Sequence, residues 1–403
     1  MSVTSGRPLE GKELRHLQAM FFFFGLGIMA LVPRLPDIKE NLDVPTTFFG
    51  ILISIGSIGA LMSHLTMGHI IHRVGVFKVV MFSSFAMYFT MGLMVETKNP
   101  WVYLVVSILS GFSWASYHIA INAQALHRQS ETERTIIPML HGLWSAGAVT
   151  TAFIGLLVSS TLSLNWHIFP LIIFALFMQI RSVLRLKPVL LTGTEVTEAD
   201  EVIEFSKLVK SFSIDWVVSL GFLCALMLEI GMGDWATIIA RQEFGVSKSI
   251  AVIPYFLFML SMIFGRLTYN RFKGSRSDKE LVQPFVVLGG SIFLISLFFG
   301  LELKDENLYL GYGIFCIGAL LSGLGISFVA PLFFGYASAR SNKPGGVVVA
   351  ELGAVNQALT FLGRLVVAFV AGATSLPLAM IIPPVMLILV AFFVAAASQP
   401  KKS

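Results

Sequence analysis

Three charged side chains stand inside long apolar runs: Glu229 and Asp234 in one run and Arg364 in another. A charge at bilayer depth is costly unless it is paired or, for an acid, protonated, so such residues mark function. Glu229 lies about 14 residues into its run, roughly 21 Å from one end at 1.5 Å per residue. A carboxyl group desolvated there binds and releases a proton near neutral pH; the alternative is a structural acid bonded to neighbouring backbone. Asp234 follows about one turn later, beside Trp235, as a second coupling acid or a gate residue. Arg364 sits at similar depth in its own run, and its planar fork fits a carboxylate or phosphate. It either pairs with Glu229 or Asp234 in the empty site or holds an anionic group of a solute. Asn356, Thr360 and Gly363 lie on or near its helical face, and Gln357, seven residues away, shares it. Together they form a stripe suited to a sugar or an amide.

A second polar group interrupts "GFSWASYHIAINAQALHR" (111–128). As a helix, this stretch puts Trp114, His118 and Asn122 on one face at i, i+4 and i+8. His118, Asn122 and Gln124 are read as hydrogen-bond partners for a polar solute, with His118 also a proton carrier. Helix–helix hydrogen bonds are the alternative.

The elements that must position these residues follow from composition. Of 403 residues, 56% are hydrophobic and 13% charged, about half the charged fraction of a soluble domain. Lipid must solvate most of such a surface. The net charge of +5 is not a nucleic-acid signature, because the basic residues sit in short turns between apolar runs. The two cysteines, Cys224 and Cys316, lie in apolar runs and are expected as buried thiols. No metal-ligand set and no cofactor are expected. "GRPLEGKE" (6–13) has phosphate-loop spacing, but Glu13 replaces the required hydroxyl and no strand precedes it. His64, His69 and His72 are read as surface histidines rather than a metal site.

Twelve spans are expected: 15–35, 46–70, 76–96, 101–128, 136–160, 165–186, 213–240, 248–270, 281–302, 307–338, 345–372 and 375–397. With both termini in the cytoplasm, 21 Lys and Arg fall inside and 6 outside, leaving Arg364 in the membrane. The positive-inside rule favours that orientation in the plasma (inner) membrane. Trp101, Trp166 and Trp216 open three spans, as an aromatic belt requires. The first helix is expected to target the chain, with no cleaved signal peptide. Residues 187–212 form a cytoplasmic linker, in which Ala199, Val202, Ile203 and Val209 have the spacing of a short interfacial helix. An acidic flexible linker is the other reading. The linker separates an N-terminal six-helix bundle (1–186) from a C-terminal one (213–403). "GHIIHRVGVFK" (68–78) after the second span and "GRLTYNRFKG" (265–274) after the eighth both join glycine to a basic inner turn. The two bundles are thus expected to be pseudo-symmetric, as in transporters built from repeats.

Four stretches carry a family resemblance: "PRLPDIKENLDVPTTFFGILISIGSIGALM", "INAQALHR…PMLHGLWSAGA", "EIGMGDWATIIAR" and "GRL" at 265–267. They resemble the major facilitator superfamily, and within it the fucose-permease-like bacterial branch. That resemblance implies an all-α membrane fold of twelve transmembrane helices in two bundles. Helices 1, 2, 4, 5, 7, 8, 10 and 11 would line a central cavity. It also implies gating turns, here at Gly68, His72, Arg73 and Gly75 and at Arg266 and Arg271. The superfamily usually has Asp where His72 stands. Helix five lacks the antiporter Gly-Pro, and "FLGRLVV" puts Arg364 where the branch often has Gly-Pro-Pro. Glu351, opening span eleven, is expected in an inner-gate ion pair with Arg340 or Lys343. Pro331 is expected to bend span ten, and Gly56, Gly59, Ala60, Gly318, Ser322, Gly323 and Gly325 to allow close helix contact.

The expected function is secondary active transport of a small polar organic solute by alternating access. A sugar or a derivative is implied by the resemblance alone. Coupling to protons as symport is expected, in a monomer, with the bilayer and the solute as partners and no enzymatic activity. The alternatives are a drug or metabolite exporter and a non-transporting solute sensor.

Overall fold

The computed structural model describes residues 11–132, 136–193, 214–341 and 345–399. Among them there are helices and turns and no strand. Lipid cannot hydrogen-bond backbone, so each apolar run satisfies its own N–H and C=O groups as a helix. The first half contains α1 (Gly11–Ile28), the short α2 (Leu35–Leu42), α3 (Thr46–Glu96), α4 (Pro100–Thr132), α5 (Ile137–Val158) and α6 (Leu164–Leu186). The second contains α7 (Trp216–Gln242), α8 (Ile253–Lys273), α9 (Asp278–Leu303), α10 (Leu308–Ile326), α11 (Val329–Ala339), α12 (Gly345–Ala373), α13 (Leu376–Ala379) and α14 (Ile382–Ala397).

Eleven stretches among the described residues are long and apolar enough to cross a membrane. One of them, α3, runs 51 residues, about 76 Å, more than twice the roughly 30 Å hydrocarbon core. Gly75 divides it, with φ 79° and ψ 161°, a backbone conformation that costs glycine little and other residues much. Counting α3 as two spans gives the expected twelve. The tenth span is broken between α10 and α11 at Ser327–Phe328. Pro331 has no N–H for the carbonyl of Ser327, four residues back, which explains a break there rather than a gentle bend. Trp101, Trp166 and Trp216 are 65%, 74% and 55% exposed at the starts of their helices, where an aromatic belt meets the membrane surface.

The two groups of helices, α1–α6 and α7–α14, meet along α3 against α12 and α5 against α8. With an even number of spans, residues 11 and 399 emerge at one end of the bundle. At the opposite end, polar cross-links join the groups. Asp37 of α2 accepts from Arg34 at 2.8 Å and forms an ion pair with Lys248 from the α7–α8 turn. Arg34 is 1% exposed and also donates to the Leu162 carbonyl at 3.1 Å. Ser160 and Ser249 exchange two bonds: the Ser160 N–H reaches the Ser249 hydroxyl at 3.0 Å, and the Ser249 N–H reaches the Ser160 hydroxyl at 2.9 Å. Arg241 pairs with Glu40 at 2.9 Å. Beneath them, a Cβ at Gly50 would lie 2.5 Å from Ala368 and 2.9 Å from Trp235, and one at Gly372 would overlap Thr47. Here α3 and α12 approach as only glycine permits.

At the terminus-bearing end, several polar contacts of the described residues close within one group. Gln124 donates to the Val189 carbonyl at 3.1 Å and accepts from the Leu191 N–H at 2.8 Å. Arg128 reaches Val189 at 2.7 Å. The Val76 N–H, next to Gly75, donates to Leu191 at 3.0 Å. The start of the linker is therefore strapped to α3 and α4. The expected helix within 197–209 lies outside the described residues.

Candidate functional site

The site is organised by α7. Asp215 caps its first turn, its side chain accepting from the Val218 N–H at 3.3 Å, and also holds Arg340 at 2.8 Å. From that fixed start, Glu229 lies about 20 Å along the helix and Asp234 about 27 Å. Each acid has its own arginine. Arg364 of α12 grips Asp234 with two bonds, Nε to Oδ2 at 2.7 Å and Nη2 to Oδ1 at 2.5 Å. Arg266 of α8 reaches Glu229 at 3.4 Å. Bidentate pairing is the stronger geometry, so the first pair is tight and the second loose.

Both pairs face α1–α6. Arg364 also points its Nη1 at the Ser57 hydroxyl of α3, at 3.4 Å. Arg266 lies near enough to His141 of α5 for their charges to interact. The lipid-facing positions of the same helices are apolar: Phe264 and Leu267 on α8, and Leu362, Val366 and Phe369 on α12, are more than half exposed. The paired charges are partly exposed, Glu229 at 22% and Arg266 at 28%.

The α4 residues complete the wall. Asn122 donates to the His118 carbonyl at 2.8 Å, and its Oδ1 faces His141 Nε2 at 3.1 Å. His118 and His141 meet edge to face with ring centroids 6.1 Å apart, and Phe24 of α1 stacks on His118 at 5.8 Å. On α12, Asn356 and Thr360 are 9% and 6% exposed, and Asn356 Oδ1 and Thr360 Oγ1 have no hydrogen-bond partner. The same is true of Tyr103 Oη on α4, which lies in electrostatic range of both Arg364 and Asp234. Gln357 is half-buried on the same helix as Asn356.

The structure thus brings His118, Asn122 and His141 together, and joins Asp234 to Arg364. It sets Gln124 apart. That side chain is 2% exposed, and both ends of its amide bond the linker backbone. Arg266, assigned from sequence to an inner turn, is instead two turns inside α8 and serves as the partner of Glu229; this is a correction to the charge count as well. Arg266 lies within the apolar span Ile250–Tyr269, and α8 itself continues to Lys273. Gly68, Arg73 and Arg271 are exposed near the terminus-bearing end and His72 is half-buried there. Arg340 holds Asp215 and the Gln399 carbonyl rather than Glu351, which is 6% exposed; Lys343 lies outside the described residues. Tyr103 and Ser57 escaped sequence reasoning because neutral hydroxyls in apolar runs are common and carry no depth signal. Among the described residues, no cluster of His, Cys, Asp and Glu could hold a metal.

Comparison with known proteins agrees with this architecture. The family model of the Major Facilitator Superfamily matches residues 17–350. An uncharacterised MFS-type transporter of Yersinia pestis is 26% identical over 89% of each chain. An uncharacterised transporter of Sinorhizobium fredii is 24% identical, covering 96% of this chain and 98% of its own. Among solved structures, a mutant of the nucleoside transporter NupG superposes with a TM-score of 0.72 at 14% identity, over 96% of this chain and all of that one. The human organic anion transporter MFSD10 superposes at 0.64 and 16%, with the same coverage. Paired charges inside a twelve-span bundle and a family match over most of its length lead to one conclusion: this chain belongs to the major facilitator superfamily, as a multi-pass membrane transporter of solutes and not an enzyme.

Proposed function

We propose that the protein is a proton-coupled symporter of a small polar organic solute, working by alternating access in the plasma membrane. In this reading residues 1–186 and 213–403 rock as two bundles about a site between them, joined by the linker 187–212, with both termini in the cytoplasm. The observation that carries it is the pair of acids on α7, each clamped by an arginine at membrane depth and each facing the other bundle. A paired acid in such a place can exchange its arginine for a proton as the surroundings change. The candidate carriers are Glu229, in the looser pair, Asp234 and His118. His118, Asn122, Asn356, Gln357, Thr360 and Arg364 supply hydrogen bonds to the solute. The cross-linked end, with Asp37, Lys248, Ser160 and Ser249, is the closed outer gate, and the chamber opens toward the cytoplasm.

The test is solute accumulation in proteoliposomes under an imposed pH gradient. Accumulation driven by inward proton flow is expected, and neutralising the carrier acid, by Glu229→Gln or Asp234→Asn, is expected to reduce it at least tenfold while leaving exchange of solute between the two sides intact. Gradient dependence of opposite sign would make the protein an antiporter or exporter. Binding without any flux would make it a sensor.

A further inference from the structure

We propose that the solute is a small carboxylate anion bearing hydroxyl or amino groups, and that its carboxylate replaces Asp234 on Arg364. This rests on the proton-coupled transport proposed above and names its substrate class. The Arg364 fork is already in the geometry that a carboxylate fills, with Nε and Nη2 on the two oxygens of Asp234. Four buried polar atoms with no hydrogen-bond partner lie on α4 and α12: Tyr103 Oη on α4, in electrostatic range of Arg364 and Asp234, Ser107 Oγ one turn along α4, and Thr360 Oγ1 and Asn356 Oδ1 one and two turns from Arg364 on α12. Tyr103 and Ser107 are one turn apart, and Asn356, Thr360 and Arg364 rise along one face at successive turns. Buried polar groups are normally satisfied, and each exception calls for an explanation. Here the exceptions gather on two helices, one from each group, beside a bidentate ion pair. Asn356 Oδ1 can only accept, so it calls for an O–H or N–H on the ligand. The three hydroxyls can give or take.

A neutral polyol would satisfy the hydroxyls and leave the fork to Asp234. A carboxylate takes the fork as well, and this displaces Asp234 from its counter-ion. The groups that then face Asp234 are Tyr103 from α4 and Tyr255 from α8, with Glu229 five residues away on α7 and held by Arg266. None of these replaces the lost positive charge. Asp234 therefore takes a proton from water in the chamber. One anion and one proton enter together, so the step moves no net charge. When the anion leaves, Asp234 releases its proton and returns to Arg364.

The test compares matched pairs on the purified protein: gluconate against glucose, and glycerate against glycerol. Thermal stabilisation is expected from the carboxylates and not from their neutral counterparts. In proteoliposomes, an inward proton gradient is expected to drive carboxylate uptake, and a potassium–valinomycin potential is not. Asp234→Asn frees Arg364 and is expected to bind the carboxylate at least tenfold tighter while no longer concentrating it. Arg364→Lys keeps the charge, loses the fork and is expected to weaken binding at least tenfold. Equal stabilisation by the neutral partners, no response to either carboxylate, or weaker binding by a folded Asp234→Asn variant overturns the proposal. Should that variant fail to fold, the wild-type pairs and Tyr103→Phe, expected to weaken carboxylate binding several-fold, still decide. Proton-driven uptake of a neutral solute alone would sink this inference and leave the symport reading standing. Absence of gradient-driven uptake for charged and neutral solutes alike would sink the symport reading itself.

Discussion

The two ends of the bundle use similar residues in opposite ways. At the end away from the termini, short polar side chains and an acid–lysine pair reach from one group of helices to the other: Asp37 to Lys248, Ser160 to Ser249, Glu40 to Arg241. At the terminus-bearing end, Gln124 and Arg128 bond the backbone of Val189 and Leu191 within the first group, and Arg340 holds Asp215 within the second. In these contacts, one end is stitched across and the other is stitched to itself. The difference shows how a bundle can hold one end together with a few modest contacts. Each cross-link is modest, partly exposed and easily re-formed, while the close approach of α3 and α12 beneath them depends on glycine.

Three changes probe that contrast, in order of expected size. Gly372→Leu places a side chain where Thr47 stands and should wedge the stitched end open. Cysteine labelling at Thr237, beneath the stitched end, should rise at least tenfold, which corresponds to about 1.4 kcal/mol. Unchanged labelling would mean that glycine packing does not hold this end. Lys248→Ala leaves Asp37 with Arg34 but removes its bond to the other group. Partly exposed pairs contribute about 1 kcal/mol or less, so the same labelling should rise by roughly two- to fivefold. Gln124→Ala should leave the labelling within a factor of about two, since its bonds do not cross between groups, yet should speed proteolysis of the linker. A large change in labelling would show that the two ends are coupled through the strap.

The fold was legible because lipid imposes a simple rule: long apolar runs must be helices. The spans, the glycine at the turn between the second and third, and the tryptophans at helix starts all follow from it. What was not legible concerns where side chains end up. Gln124 lies only two residues past Asn122, but two residues turn a helix by about 200°, so it faces the linker while Asn122 faces His141 of α5. Arg266 looked like part of a basic turn because Arg271 and Lys273 follow it. Yet Arg266 lies inside the apolar span Ile250–Tyr269, and counting basic residues near the end of a span has no measure of their depth within it. The Arg364 pairing was open between two acids five residues apart; only the tilt and rotation of α7 against α12 select Asp234.

The contact between Asn122 and His141 has a chemical corollary. Because the amide nitrogen of Asn122 is spent on the His118 carbonyl, the atom it turns to His141 is its oxygen, which can only accept. A neutral His141 must then carry its hydrogen on Nε2, and the lone pair is left on Nδ1. The imidazole has one tautomer chosen for it by a neighbouring helix, so any proton that it receives arrives at a single, known nitrogen.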